Sequence, residues 1–154
     1  MSLEAGATAP DFTAPTDGGG TLSLSSLRGK NVILYFYPKD DTPGCTREAC
    51  AFHAAAPDFS KADAVVLGVS KDDAKQHDKF KQKYGLGFPL IADLDGKICE
   101  AYGVWVEKLN YGKKYMGIDR STFLIDKQGL VRKVWHKVKV DGHADKVLET
   151  LKAL

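Results

Sequence analysis

Cys45 and Cys50 have the most scope for chemistry in this sequence, because sulfur can attack, be oxidised or bind metal. They lie in Pro38-Lys-Asp-Asp-Thr-Pro-Gly-Cys-Thr-Arg-Glu-Ala-Cys50, a polar loop leading into an Ala-rich run. An apolar stretch, Asn31-Val-Ile-Leu-Tyr-Phe-Tyr37, precedes it, which places Cys45 after a buried strand and at the first turn of the next helix. Unbonded N–H groups and the positive end of the helix dipole meet there, and both favour a thiolate over a thiol. Cys45 is therefore expected to be reactive, although a cysteine at an arbitrary position is more often inert filler.

Ionisation alone makes a poor catalyst. Moving a thiol from pKa about 8.5 to about 6 raises its thiolate fraction at neutral pH about 30-fold. If the Brønsted slope of about 0.4–0.5 seen in disulfide exchange holds for other electrophiles, the weaker base gives back roughly tenfold, leaving about threefold. Neighbouring donors must supply the rest by orienting the substrate and stabilising its departing charge.

Other chemistries for the same sulfurs can be weighed from spacing. A zinc site from Cys45, Cys50 and His53 would read C-x4-C-x2-H and lacks a fourth ligand, so no metal and no cofactor are expected. A dithiol-disulfide oxidoreductase usually carries C-x-x-C, with both sulfurs in reach at the helix start. A Cys45–His53 hydrolase would lack an orienting partner, and His53, His77, His136 and His143 read as scattered surface or packing residues.

The elements that must position Cys45 follow from periodicity and punctuation. Strands are expected at 31–37 and 64–70, with a helix from Cys45 to about Lys61 between them, interrupted near Pro57. A second helix runs from Asp72 to Tyr84, with Ser70 and Asp72 as caps and Gly85 as its stop. A short strand at 89–92 and a short helix at 97–102 come next. Segments 121–126 and 130–135 form a hairpin about Lys127-Gln128-Gly129, and a helix over 143–154 carries Val147, Leu148, Leu151 and Leu154 on one stripe. Asp17-Gly-Gly-Gly20 marks a turn in an N-terminal extension. Parallel β-α-β units first and an antiparallel hairpin plus helix last predict an α/β, thioredoxin-like fold with a central mixed sheet and helices on both faces.

The chain has 154 residues, 44% hydrophobic and 27% charged, which fits a single domain over 1–154. Its start lacks the basic and apolar regions of a secretory signal, and no run is long enough to span a bilayer, so a cytoplasmic, non-membrane protein is expected. A net charge of +2 gives no general reason to bind nucleic acid. Between Glu107 and Lys139 there are nine Lys or Arg against three acids, which is read as the solvated face of a hairpin and its loop, or as an attraction for an acidic redox partner. Three cysteines, an odd number in a chain without an export signal, do not make a structural disulfide framework.

Pro38, Thr42 and Cys45 form a P-x-x-x-T-x-x-C pattern that resembles the peroxiredoxins, and the wider run resembles their bacterioferritin-comigratory protein or peroxiredoxin Q class. The likeness extends to Phe88-Pro-Leu90, Tyr102-Gly-Val-Trp105 and Arg120-Ser-Thr-Phe-Leu-Ile-Asp126. It implies a thiol-dependent peroxidase acting on hydrogen peroxide and organic hydroperoxides. In that reading Cys45 is the attacking thiolate, Thr42 bonds the thiolate and a substrate oxygen, Pro38 shields the site and Arg120 touches both sulfur and substrate. Glu48 stands where an acid orients that arginine. Cys50 is the candidate to capture the Cys45 sulfenic acid as a disulfide, which thioredoxin or a similar dithiol would reduce. Residues five apart on an intact helix have Cα atoms about 8.7 Å apart, and a disulfide needs less than about 7 Å, so the helix would have to unwind. Cys99 matches no part of the pattern and reads as filler. An intramolecular pair needs no second chain, so a monomer is expected.

Overall fold

The computed structural model describes residues 3–154. In chain order the elements are β1 (Thr13–Pro15), β2 (Thr21–Ser23), β3 (Asn31–Phe36), α1 (Pro43–Lys61), β4 (Ala64–Ser70), α2 (Ala74–Tyr84), β5 (Leu90–Ala92), α3 (Lys97–Ala101), β6 (Trp105–Asn110), β7 (Lys113–Ile118), β8 (Ser121–Ile125), β9 (Val131–Trp135) and α4 (His143–Lys152). The main sheet has the order β5-β4-β3-β8-β9. Strands β3, β4 and β5 run parallel, whereas β8 and β9 pair antiparallel, as the expected mixed sheet requires.

Strand β3 is central because both of its faces are apolar. Side chains alternate along a strand, so Ile33, Tyr35 and Tyr37 enter one core with Phe52, Phe59, Val147 and Leu151 of α1 and α4. Val32, Leu34 and Phe36 enter the other, with Ile98, Tyr102 and Leu24. The long helices α1 and α4 thus cover one face, and α3 with the N-terminal ribbon covers the other.

Three local features differ from the sequence reading. Helix α1 is not interrupted at Pro57 but passes through it. Proline removes one backbone donor, yet Pro57 and His53 are both exposed, so the carbonyl left without a partner faces water while buried Phe52 and Phe59 hold the two halves to the sheet. Helix α2 is capped by Asp73 in a reciprocal box with Gln76, not by Ser70 or Asp72, whose oxygens are engaged elsewhere. The extension contains a two-stranded ribbon, and segment 105–118 is a regular hairpin turning at Tyr111 and Gly112, which have φ of 51° and 78°. Tyrosine is an unusual residue for a left-handed turn position, and this hid the hairpin's strands.

Phe52 stacks on Tyr35 with ring centroids 4.7 Å apart and is fully buried, so it fastens the N-terminal half of α1 to β3. Replacing Phe52 with Ala is expected to cost about 3–5 kcal/mol, read as a lower denaturation midpoint with an unchanged denaturant slope.

Candidate active site

Strand register builds the site. In the β3–β8 pairing Phe36 lies opposite Ser121, so Arg120, one residue before β8, arrives at the end of β3 where the Pro38–Thr42 loop departs. The loop enters α1 at Pro43, whose missing N–H would have had no helical partner in any case. Thr46 donates to the Thr42 carbonyl at 2.8 Å, leaving the N–H groups of Gly44 and Cys45 outside the helix ladder.

Cys45 is buried, with 1% exposure, and its Sγ accepts a hydrogen bond from Arg120 Nη2 at 3.3 Å. The other arm of the fork, Nη1, reaches Glu48 Oε1 at 2.7 Å. Cys45 and Glu48 are three apart on α1, so one turn presents both to the same guanidinium. A Cβ on Gly44 would stand 3.3 Å from Arg120 Nη2, so glycine there lets the fork approach the helix closely. Arg120 stays protonated: burial opposes its charge, and Glu48 and Cys45 more than compensate.

Glu48 is as buried as the sulfur, and its second oxygen, Oε2, has no partner among the described residues. Burial pushes its carboxyl from 4.5 up to about 7, against the pull of Arg120. One cation therefore faces two buried acids, Cys45 and Glu48. Tyr35 completes the floor, with its hydroxyl likewise buried and unpartnered.

Neither Thr42 nor Pro38 gives the sulfur a hydrogen bond. The Thr42 hydroxyl donates to the Lys39 carbonyl at 2.9 Å instead of bonding Cys45, and Pro38 is exposed at the start of the loop. Cys45, Cys50 and Cys99 are all free thiols. Cys50 is half-buried on α1, while Cys99 lies fully buried in the opposite core, where burial and Asp93 push its thiol well up. His53 does not join Cys45 and Cys50 as a metal ligand but accepts from the Gly87 N–H at 3.0 Å.

A cavity of about 610 Å³ opens against Arg120, lined by Val106, Lys108, Tyr115, Lys137 and Val138 among others. The hairpin residues among them were missed in the sequence because alternation over 105–118 is weak. His77 and His143 are buried, which their sequence surroundings did not signal. His143 bonds Thr122 Oγ1 at 2.8 Å, and burial with nearby Lys146 lowers it to about 4, so it is neutral at physiological pH.

The AhpC/TSA family model matches residues 5–134. This chain belongs to that family and is a peroxiredoxin. Peroxiredoxin Bcp of Bacillus subtilis is 52% identical, over 99% of this chain and 97% of its own length. A bacterioferritin comigratory protein of Xanthomonas campestris, solved in a study of its alkyl peroxide reduction, superposes with a TM-score of 0.90 at 46% identity, covering 99% of this chain and 97% of that one. Xylella fastidiosa PrxQ, solved as a cysteine-to-serine variant, gives 0.95 at 40% identity, covering 99% and 98%. The peroxiredoxin is accordingly a thiol-dependent peroxidase on a thioredoxin-like fold.

In this peroxiredoxin the folded state holds the Glu48 proton more tightly than the unfolded chain does, because the folded value lies above 4.5. Stability should therefore fall as pH rises from about 4.5 through about 7. Replacing Glu48 with Gln is expected to flatten that fall, as read from denaturation midpoints across the range.

Proposed function

We propose that Cys45 attacks the peroxide as a thiolate and that Cys50 resolves the product within the same chain. The observation that carries this reading is the single Arg120 fork bonded to both Cys45 Sγ and Glu48. Sulfur attacks the distal peroxide oxygen: an S–O bond forms, the O–O bond breaks, and the other oxygen departs as hydroxide or alkoxide, taking a proton to leave as water or an alcohol. Arg120 has donors to spare for the departing oxygen, and the free N–H groups at the start of α1 add to them. Thr42 would have to turn its hydroxyl from Lys39 towards the substrate, and Pro38 would close over the bound peroxide.

The cavity against Arg120 supports organic hydroperoxides as well as hydrogen peroxide. Val106, Tyr115 and Val138 offer an apolar wall for an alkyl chain.

Cys45 becomes a sulfenic acid, and the Cys50 thiolate then attacks it, forming the disulfide and releasing water. Both sulfurs lie on continuous helix here, about 8.7 Å apart at Cα by helix geometry, so residues from Cys45 to about Phe52 must unwind first. The disulfide formed in that open segment is accessible to thioredoxin or a similar dithiol. No described helix is long and apolar enough to cross a membrane. We take the enzyme to be a cytoplasmic, single-domain monomer, since the proposed cycle closes within one chain and uses no cofactor, nucleic acid or membrane.

Cys45→Ser should abolish turnover, Cys50→Ser should reduce about one equivalent and then over-oxidise, and Cys99→Ser should stay active. Coupled peroxide and thioredoxin assays with mass spectrometry of the oxidised protein read these outcomes. Hydrogen exchange should show residues 45–52 losing protection on oxidation; equal protection in both redox states would refute the unwinding step.

A further inference from the structure

The Pro38–Thr42 loop that leads into Cys45 is tied down by residues that the P-x-x-x-T-x-x-C pattern does not specify. Asp40 sits in that loop, and its Oδ2 lies 2.6 Å from His77 Nδ1 on α2. The other ring nitrogen, Nε2, lies 2.9 Å from the carbonyl oxygen of Ile91 on β5. Asp40 Oδ1 accepts from the Tyr37 hydroxyl at 2.5 Å, and the Asp40 N–H donates to Asp72 Oδ2 at 2.8 Å. Ser70 Oγ also donates to Asp72, at 2.7 Å. The next residue, Asp41, has a left-handed backbone with φ of 58° and accepts from Lys83 and Tyr84, again on α2.

Chemistry fixes the protons in this cluster. A carbonyl only accepts, so Nε2 must carry hydrogen, and Nδ1 then faces a carboxylate across a bond that also needs a proton. The His77 and Asp40 side chains are 0% and 6% exposed, so water has little access to that bond. Asp40, Asp72 and His77 also cluster as metal ligands would, but the 2.6 Å N–O separation leaves no room for an ion between ring and carboxylate.

We propose that His77 is a positioning residue of the peroxidase: bonded at both ring nitrogens, it clamps Asp40, and thereby the Pro38–Thr42 loop, so that Cys45 meets Arg120. The inference rests on Cys45 being the attacking sulfur. It adds an anchor at the fixed edge from which α1 unwinds, so that the loop stays in place while Cys45 travels to Cys50 and returns.

The clamp is proton-dependent. Burial alone would lower the His77 pKa, but the hydrogen bond and charge of Asp40 outweigh it, with help from the Ile91 carbonyl and Asp72, and the net shift is upward from 6.5. The titratable groups bonded to or charging the ring and its partner are Asp40 from the loop, Tyr37 after β3 and Asp72 from the β4–α2 turn. Because the folded value exceeds the unfolded one, the clamp's contribution is complete below about 6.5 and is lost as pH rises through the folded value.

The test compares His77→Leu, Asp40→Asn and the wild type in single-turnover oxidation by hydrogen peroxide across pH, with His77 followed by NMR. In the wild type the rate should fall on the alkaline side in step with the imidazole titration. His77→Leu should lower the neutral-pH rate about tenfold to a hundredfold and lose that alkaline fall. Asp40→Asn can keep the Tyr37 bond through its oxygen and donate an amide N–H to a neutral ring, so it should lose the alkaline fall while staying several-fold faster than His77→Leu. A His77→Leu protein as fast as wild type, or an Asp40→Asn protein that keeps the alkaline fall, would overturn the clamp. So would a His77 pKa at or below its ordinary value, measured in wild type and in Cys45→Ser, where no sulfur chemistry intervenes and folding of the His77 variant is not at issue. Peroxide consumption by Cys45→Ser would instead overturn only the site reading.

Discussion

One guanidinium shared by two buried acids is the constraint on which the active site depends. Arg120 bonds both the Cys45 sulfur and the Glu48 carboxylate, and each of its arms serves one of them. Two anions on one cation leave a net negative charge in a poorly solvated place, so the ionisation of either acid opposes that of the other. Glu48, held up near 7 by burial, is the acid that can give way by keeping its proton. Arginine suits this position because it cannot lose its own proton and its planar fork spans two acceptors.

Helix α1 meets two opposed demands. In the proposed cycle, attack requires its first turn to be intact, because the dipole and the free N–H groups sit there. Disulfide formation requires the same turns to open. Packing divides the helix accordingly. Phe52 and Phe59 bury large rings and bind its middle and far end to the core, whereas the opening turns bury in it only the smaller Cys45 and Ala49 and add the Arg120 contacts. In the proposed cycle the Arg120–sulfur bond of the closed form is lost once Cys45 has reacted, so local opening becomes less costly where the chemistry has finished.

The loop before α1 resists that opening from the other side. Asp40 and Asp41 are both bound to α2, so motion of α1 need not spread backwards into β3. Ser70 and Asp72 illustrate the cost of this arrangement in local structure: they read as helix caps in sequence, but their oxygens hold the loop, and Asp73 caps α2 in their place.

What the sequence determined by itself was set by short-range rules. The apolar run at 31–37, the stop at Gly85, the turn at Gly129 and the placing of Cys45 just after a strand and loop need only neighbours to specify them, and the motif around Cys45 pointed to its family. Only tertiary structure brought Arg120 to Cys45 across 75 positions, because that meeting depends on the register of β8 against β3. The same holds for His77, an unremarkable residue on an amphipathic helix until β5 and the Pro38–Thr42 loop close around its ring. Burial and strand register, which no local pattern encodes, decide which charges must share a proton or a partner.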